Sequence, residues 1–204
     1  MGLRLVVFDA TGHGASWLQA PLTASWRYGS VAYTIRPRAT RVDATFAATC
    51  WQDALAWLCS VQPGEVIDEV QYWGHGLPGR VLLGTDRFDR DSLARHGPLA
   101  DDVDALRARL RGPEALVWFR TCGAFGGEVG QAFAVACAER LGCRVGGHTF
   151  VIGPLQSGLH TVTPTTSPTW PLTEGQDEAG RLLSSSWSAP HTITCLHGAI
   201  PAGW

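Results

Sequence analysis

Two residues of this chain stand where a sheet could present them to a substrate. His75 lies between Gly74 and Gly76 at the end of the apolar run in "VQYWGHGLPGRVLLG" (70–84). Cys122 ends a second apolar run, "EALVWFRTC" (114–122), and is followed by Gly123. A thiol beside an imidazole can perform nucleophilic catalysis, because the imidazole takes the thiol proton and the sulfur attacks a carbonyl carbon. Glycines on both sides of His75 permit a sharp turn and let a substrate backbone come close. Main-chain N–H groups around Gly123, just ahead of a helix, would favour both a thiolate and an oxyanion. Taken singly, each residue has a plainer role, the histidine in a turn and the cysteine as a small buried hydrophobe. Together, each at the end of an apolar strand, they read as a pair.

The elements that would position them alternate between strand and helix. "LRLVVFDA" (3–10), "VAYTIRP" (31–37), "VIDEVQYWG" (66–74) and "EALVWFRTC" (114–122) read as strands, and "CRVGGHTFVIG" (143–153) as a strand or strand pair. The continuous apolar character of several of them is that of a sheet buried on both faces. Helical spacing of apolar residues predicts helices over 43–61, with Asp43 as N-cap, over 99–112, and over 126–142, closed by Gly142. "GRVLLGTDRFD" (79–89) reads as a short hairpin. From 154 to 204 the periodicity dissolves: "TVTPTTSPTWPLTEGQDEAG" (161–180) reads as surface loop, and "HTITCLHG" (191–198) as one returning strand. The prediction is an α/β fold of one domain over 1–204, with a mostly parallel central sheet and helices on both faces. Its core spans about 3–153, and a loop-rich tail completes the sheet or the cleft. In such sheets, sites form at the carboxyl ends of strands, where His75 and Cys122 fall.

"VQYWGHG" and "ALVWFRTCGAFGG" resemble the caspase-like cysteine peptidases, as do "HGLPGRVLLG" and "GQAFAVACAERLG", which are similar to a bacterial branch of that group. The histidine precedes the cysteine, as in that group and unlike papain-like enzymes. The resemblance covers about 3–153. It implies a three-layer caspase-like fold and a cysteine endopeptidase that works without a cofactor or metal. Cys122 would be the nucleophile, His75 the general acid and base, and the backbone N–H groups of Gly76 and Cys122 the oxyanion hole. Substrate-binding candidates are Asp9, Arg120 and Glu128. Asp9 would favour a basic P1 residue, Arg120 an acidic one. "RTCGA" stands where caspases carry "QACRG", so aspartate specificity has no support and the lean is to Arg or Lys. His13, in "ATGHGAS", is a further candidate substrate contact on the same sheet edge. Two alternatives stay open: a catalytically silent interaction module on the same fold, or another cysteine-dependent hydrolase or acyltransferase.

Other function classes find little in the composition. A net charge of −2 and scattered arginines give no basic stripe for nucleic acid. No apolar run reaches the roughly 18–20 residues of a membrane span. The short N-terminal apolar run is expected to be a strand of a cytoplasmic protein rather than a signal peptide. Six cysteines include no CxxC pair, and no HExxH or paired Cys/His spacing suggests a zinc site. The expected partners are a protein or peptide substrate and an activating protein.

Overall fold

The computed structural model describes residues 2–12, 29, 34 and 41–204. Within these, the strands are β1 (Leu3–Asp9), β2 (Ala44–Ala48), β3 (Ile67–Trp73), β4 (His75–Leu77), β5 (Arg80–Leu83), β6 (Asp86–Asp89), β7 (Leu116–Arg120), β8 (Arg144–His148), β9 (Leu155–Gln156), β10 (Leu159–Val162) and β11 (Ile193–Thr194). Three helices are labelled α1 (Trp51–Ser60), α2 (Ala100–Arg109) and α3 (Gly127–Leu141). The central sheet has six strands in the order β10-β8-β7-β3-β1-β2. Five run parallel, and β10 closes one edge antiparallel to β8. The molecule is thus an α/β protein with a mostly parallel sheet. No helix among the described residues is long and apolar enough to cross a membrane.

Period-two alternation sorts the strand residues between two cores. Leu5, Val7, Tyr72, Val117, Phe119 and Val145 point to one face and pack with Leu55, Leu106, Phe133 and Leu141 of the three labelled helices. On the other face Val6, Phe8 and Trp73 form a second cluster. Leu116 and Trp118 form a third, with Leu159 and Ile193, against which Ile200 and Trp204 pack. Gly29, a helical residue, abuts Trp73 so closely that a Cβ there would lie 2.9 Å from the indole ring.

The predicted helix over 43–61 is half strand. Asp43 donates its N–H to the Arg4 carbonyl at 2.7 Å and accepts from the Arg4 N–H on its carboxylate at 2.9 Å. That fastens the segment beside β1 instead of capping a helix. The helix starts only at Trp51, where the Cys50 sulfur accepts from the Asp53 N–H at 3.4 Å. Apart from Thr34, which is helical, the strand expected over 31–37 lies outside the described residues. From the tail, β10 joins the central sheet, whereas β11 pairs with β9 outside it.

Two buried arginines on the second face hold this tail. Arg4 donates to Glu69 at 2.6 and 3.0 Å and to the Gly198 carbonyl at 2.8 Å. Arg120, 4% exposed, donates to the Gln156 side chain at 2.9 and 3.1 Å, to Gln71 at 3.3 Å, and to the carbonyls of Cys195 and His197 at 2.9 and 3.1 Å. Its guanidinium lies 4.4 Å from the Trp118 ring centre and 5.1 Å from that of Trp73. Only a planar fork of donors fills this slot, so a lysine cannot replace it. Arg120→Lys is expected to lower the unfolding free energy by about 2 kcal/mol or more through stranded buried acceptors. A fall in the urea midpoint at unchanged slope reads this out.

Candidate active site

β3 and β7 are adjacent and parallel, with Trp73 opposite Arg120. Beyond that pair both chains leave the sheet at the same edge, one as Gly74–His75–Gly76 and the other as Thr121–Cys122. The two turns touch: a Cβ on Gly76 would lie 2.5 Å from the Thr121 hydroxyl oxygen and 2.8 Å from the Cys122 carbonyl oxygen. Contact this close excludes any side chain at 76, which explains the second glycine of "GHG".

His75 is half-buried and opens an antiparallel meander of β4, β5 and β6. A two-residue turn at Pro78–Gly79 makes Leu77 and Arg80 the closing pair of its first hairpin. Hydrogen-bonded and non-hydrogen-bonded pairs alternate from there, so the Gly76 main chain faces away from β5. The meander is fixed to its surroundings: Gly79 donates its N–H to the Ala124 carbonyl at 3.1 Å, and the Tyr72 hydroxyl donates to the Leu82 carbonyl at 2.5 Å.

Cys122 is half-buried, with its sulfur 3.8 Å from the Ile152 carbonyl. Burial pushes its thiol up from the ordinary value, outweighing a smaller opposing effect of the Ile152 main chain. The turn that follows departs from expectation. Gly123 adopts φ +59°, and its N–H is already donated to the Phe150 carbonyl at 2.9 Å. Phe125 donates to the His148 carbonyl, and Gly126 donates back to Gly123. Helix α3 starts only at Gly127. The N–H groups of Gly123, Phe125 and Gly126 are therefore taken by main-chain carbonyls, and the helix begins five residues after Cys122 instead of directly behind it.

The candidate substrate contacts divide. Asp9 is buried, and its carboxylate accepts from the Thr11 N–H at 2.8 Å, the Thr11 hydroxyl at 2.7 Å and the Gly84 N–H at 3.2 Å. It ties the end of β1 to the meander. Arg120 is buried in the tail network above. Neither is presented to a side chain entering beside Cys122. Glu128 is exposed in the first turn of α3. His13 lies outside the described residues.

Three neighbours of the site were not legible in the sequence. Thr121, fully buried between the two turns, has a hydroxyl without a hydrogen-bond partner among the described residues. Leu182 comes from the tail, and its methyl carbons would lie 2.5 and 2.7 Å from a Cβ on Gly123. Gln176 approaches Gly127, where a Cβ would lie 3.0 Å from its side-chain nitrogen. Only local alternation could have flagged the last two, and the tail shows none.

No protein-family model matches the chain, and no curated protein does. The assignment of the site therefore rests on its geometry.

His148 supports the turn from below as a neutral imidazole. Its Nδ1 donates to the Ser157 carbonyl at 3.1 Å, and its Nε2 accepts from the Trp118 indole N–H at 3.4 Å. Burial drives its pKa down to about 3; the Ser157 bond opposes this, and the charges of Arg120 and His160 add to it. Unfolded, it returns to about 6.5. Between those values the unfolded chain binds a proton that the folded one refuses, so stability is full above about 6.5 and falls as pH drops towards 3. His148→Gln is expected to flatten the decline between pH 7 and 5, measured by urea unfolding at both. Independently, Gly76→Ala is expected to destabilise by about 1–3 kcal/mol, because its Cβ must displace Thr121 and Cys122; thermal unfolding checks this.

Proposed function

We propose that the chain is a cysteine endopeptidase of the caspase-like kind, acting on a protein or peptide through His75 and Cys122. The observation that carries this is the contact of the two turns at one edge of a parallel sheet, set by the Trp73–Arg120 pairing and sealed at Gly76. The mostly parallel sheet, with its antiparallel strand β10 at one edge, is compatible with a three-layer caspase-like fold.

In this mechanism the Cys122 sulfur gives its proton to His75 and attacks the scissile carbonyl carbon. Negative charge then develops on the carbonyl oxygen, which the N–H groups of Gly76 and Cys122 would meet. The Gly76 main chain faces away from β5, and preorganised donors of this kind contribute about 3 kcal/mol each. The tetrahedral intermediate collapses as His75 protonates the departing amine, leaving a thioester. Water, deprotonated by His75, attacks that thioester and releases the acid, restoring the thiol. With Asp9 and Arg120 engaged, Glu128 is the accessible charge among the candidates, and it favours Arg or Lys at P1.

A catalytically silent interaction module is the alternative, favoured by the raised Cys122 thiol. A positional-scanning peptide library separates the two. The peptidase is expected to turn over a subset of peptides with a basic P1. Cys122→Ala should abolish turnover, and His75→Ala should lower it by about 10²–10⁴-fold. No turnover of any peptide by the wild type would assign the chain to the silent module.

A further inference from the structure

Residues 175–183 form a short hairpin in the tail. Leu183 donates its N–H to the Gly175 carbonyl at 2.8 Å, Asp177 donates to the Arg181 carbonyl at 2.9 Å, and Gln176 pairs with Leu182. One strand of the hairpin runs alongside the segment that touches the Cys122 sulfur. Val151 donates to the Leu183 carbonyl at 2.9 Å, and Ser185 donates back to the Val151 carbonyl at 2.9 Å. Next in the chain is Ile152, whose carbonyl faces the sulfur. Leu182 then lies on Gly123, immediately after the cysteine, leaving no room for even a methyl group between them.

The hairpin is well fastened at its base and loosely at its tip. At the base, Glu174 accepts from the Thr149 hydroxyl at 2.7 Å and pairs with His160 at 2.5 Å. Gly175, at φ +76°, crosses the Thr149 carbonyl so closely that a Cβ would lie 2.1 Å from that oxygen. At the tip, the Arg181 side chain reaches Asp177 of the same hairpin at 2.8 Å and is otherwise exposed. Gly180 adopts φ +76°. Anchored base, self-contained tip and glycines in the left-handed region are what a segment needs in order to lift without unfolding the sheet.

We propose that the 175–183 hairpin is a lid that covers Cys122 through Leu182 and must swing away before a substrate can reach the sulfur. The proposal rests on Cys122 as the reactive residue, though its test does not need catalysis. The closed hairpin accounts for a thiol that is half-buried at a strand end. Opening pivots at Gly175, breaks the main-chain bond between Val151 and Leu183, and leaves the Glu174 anchor and the bonds of Ser185 to the Val151 carbonyl in place.

The test is the rate of Cys122 alkylation by iodoacetamide, followed residue by residue by mass spectrometry, in the full chain. Leu182→Ala is expected to raise that rate at least tenfold relative to wild type, with the rates of buried Cys137 and Cys143 unchanged. Hydrogen exchange in the wild type gives a second measurement that needs no variant. The Val151 amide, bonded to the Leu183 carbonyl, should exchange faster than those of Gly123 and Phe125, which the Phe150 and His148 carbonyls hold. An unchanged Cys122 rate, or equal protection of the three amides, would overturn the lid. Peptide turnover distinguishes the two proposals. Faster alkylation without any turnover sustains the lid and removes the peptidase, whereas turnover with unchanged alkylation does the reverse.

Discussion

The parallel pairing of β3 with β7 is the constraint on which the rest of the structure depends. Because side chains alternate with period two, a slip of one residue would move every side chain of β7 to the opposite face. Phe119 would leave the helix-facing core for the tail side, and Arg120 would be driven into hydrocarbon without acceptors. The observed register does the opposite. It places Val117 and Phe119 in the core beneath the helices, and Trp118 and Arg120 beneath the tail. The same register brings the ends of both strands to one edge, so that His75 and Cys122 leave the sheet side by side. The packing that stabilises the fold thus also positions the candidate site.

The second face extends this logic to residues distant in the chain. Arg4 and Arg120 each reach a tail carbonyl while remaining buried. Burying a guanidinium is unfavourable unless its donors are satisfied, and here the acceptors come in part from 195–198. The tail is therefore not an ornament on a finished domain. It provides the partners that let two arginines sit inside, adds β10 to the sheet edge, and lays a hairpin across the Cys122 turn. One segment supplies both stability and cover.

What could be read from residue order follows from how local each determinant is. The strands around His75 and Cys122 were legible because long apolar runs ending in glycine or a polar residue have few other solutions. Helix α3 was equally plain, with its C-terminal glycine at 142 in the left-handed conformation. The stretch from Asp43 to Ala48 misled, since its alanines fit helical spacing while Thr45 and Phe46 suit a strand. Only the pairing with Arg4 and the rest of β1 decides between them, and that contact is remote in sequence. β10 was missed for the same reason: Leu159–Val162 is short, half polar, and defined by its partner β8. Arg120 looked like a charge at the mouth of a cleft because nothing near it in the chain announces Gln156, Cys195 and His197 as its acceptors. Leu182 on Gly123 is another contact between separated segments, and no periodicity in the tail foretold it.

In the proposed mechanism the geometry around Cys122 would hold a conflict that lifting of the hairpin would resolve. With Leu182 against Gly123 the Cys122 sulfur is half-buried, and burial favours the neutral thiol. A nucleophile needs the thiolate, and an acyl carbon needs to come within bonding reach of it. Both cannot hold in one conformation. If the covered state dominates, the observed rate is the intrinsic rate scaled by the fraction of molecules uncovered, so every tenfold excess of the covered form slows the chemistry tenfold. Such an equilibrium also offers a partner something to act on. A protein that binds only the lifted hairpin raises the uncovered fraction in proportion to its differential affinity, without touching His75 or Cys122. The weak link is then the Val151–Leu183 main-chain bond, because Ser185, whose N–H and hydroxyl both donate to the Val151 carbonyl, lies beyond the hairpin.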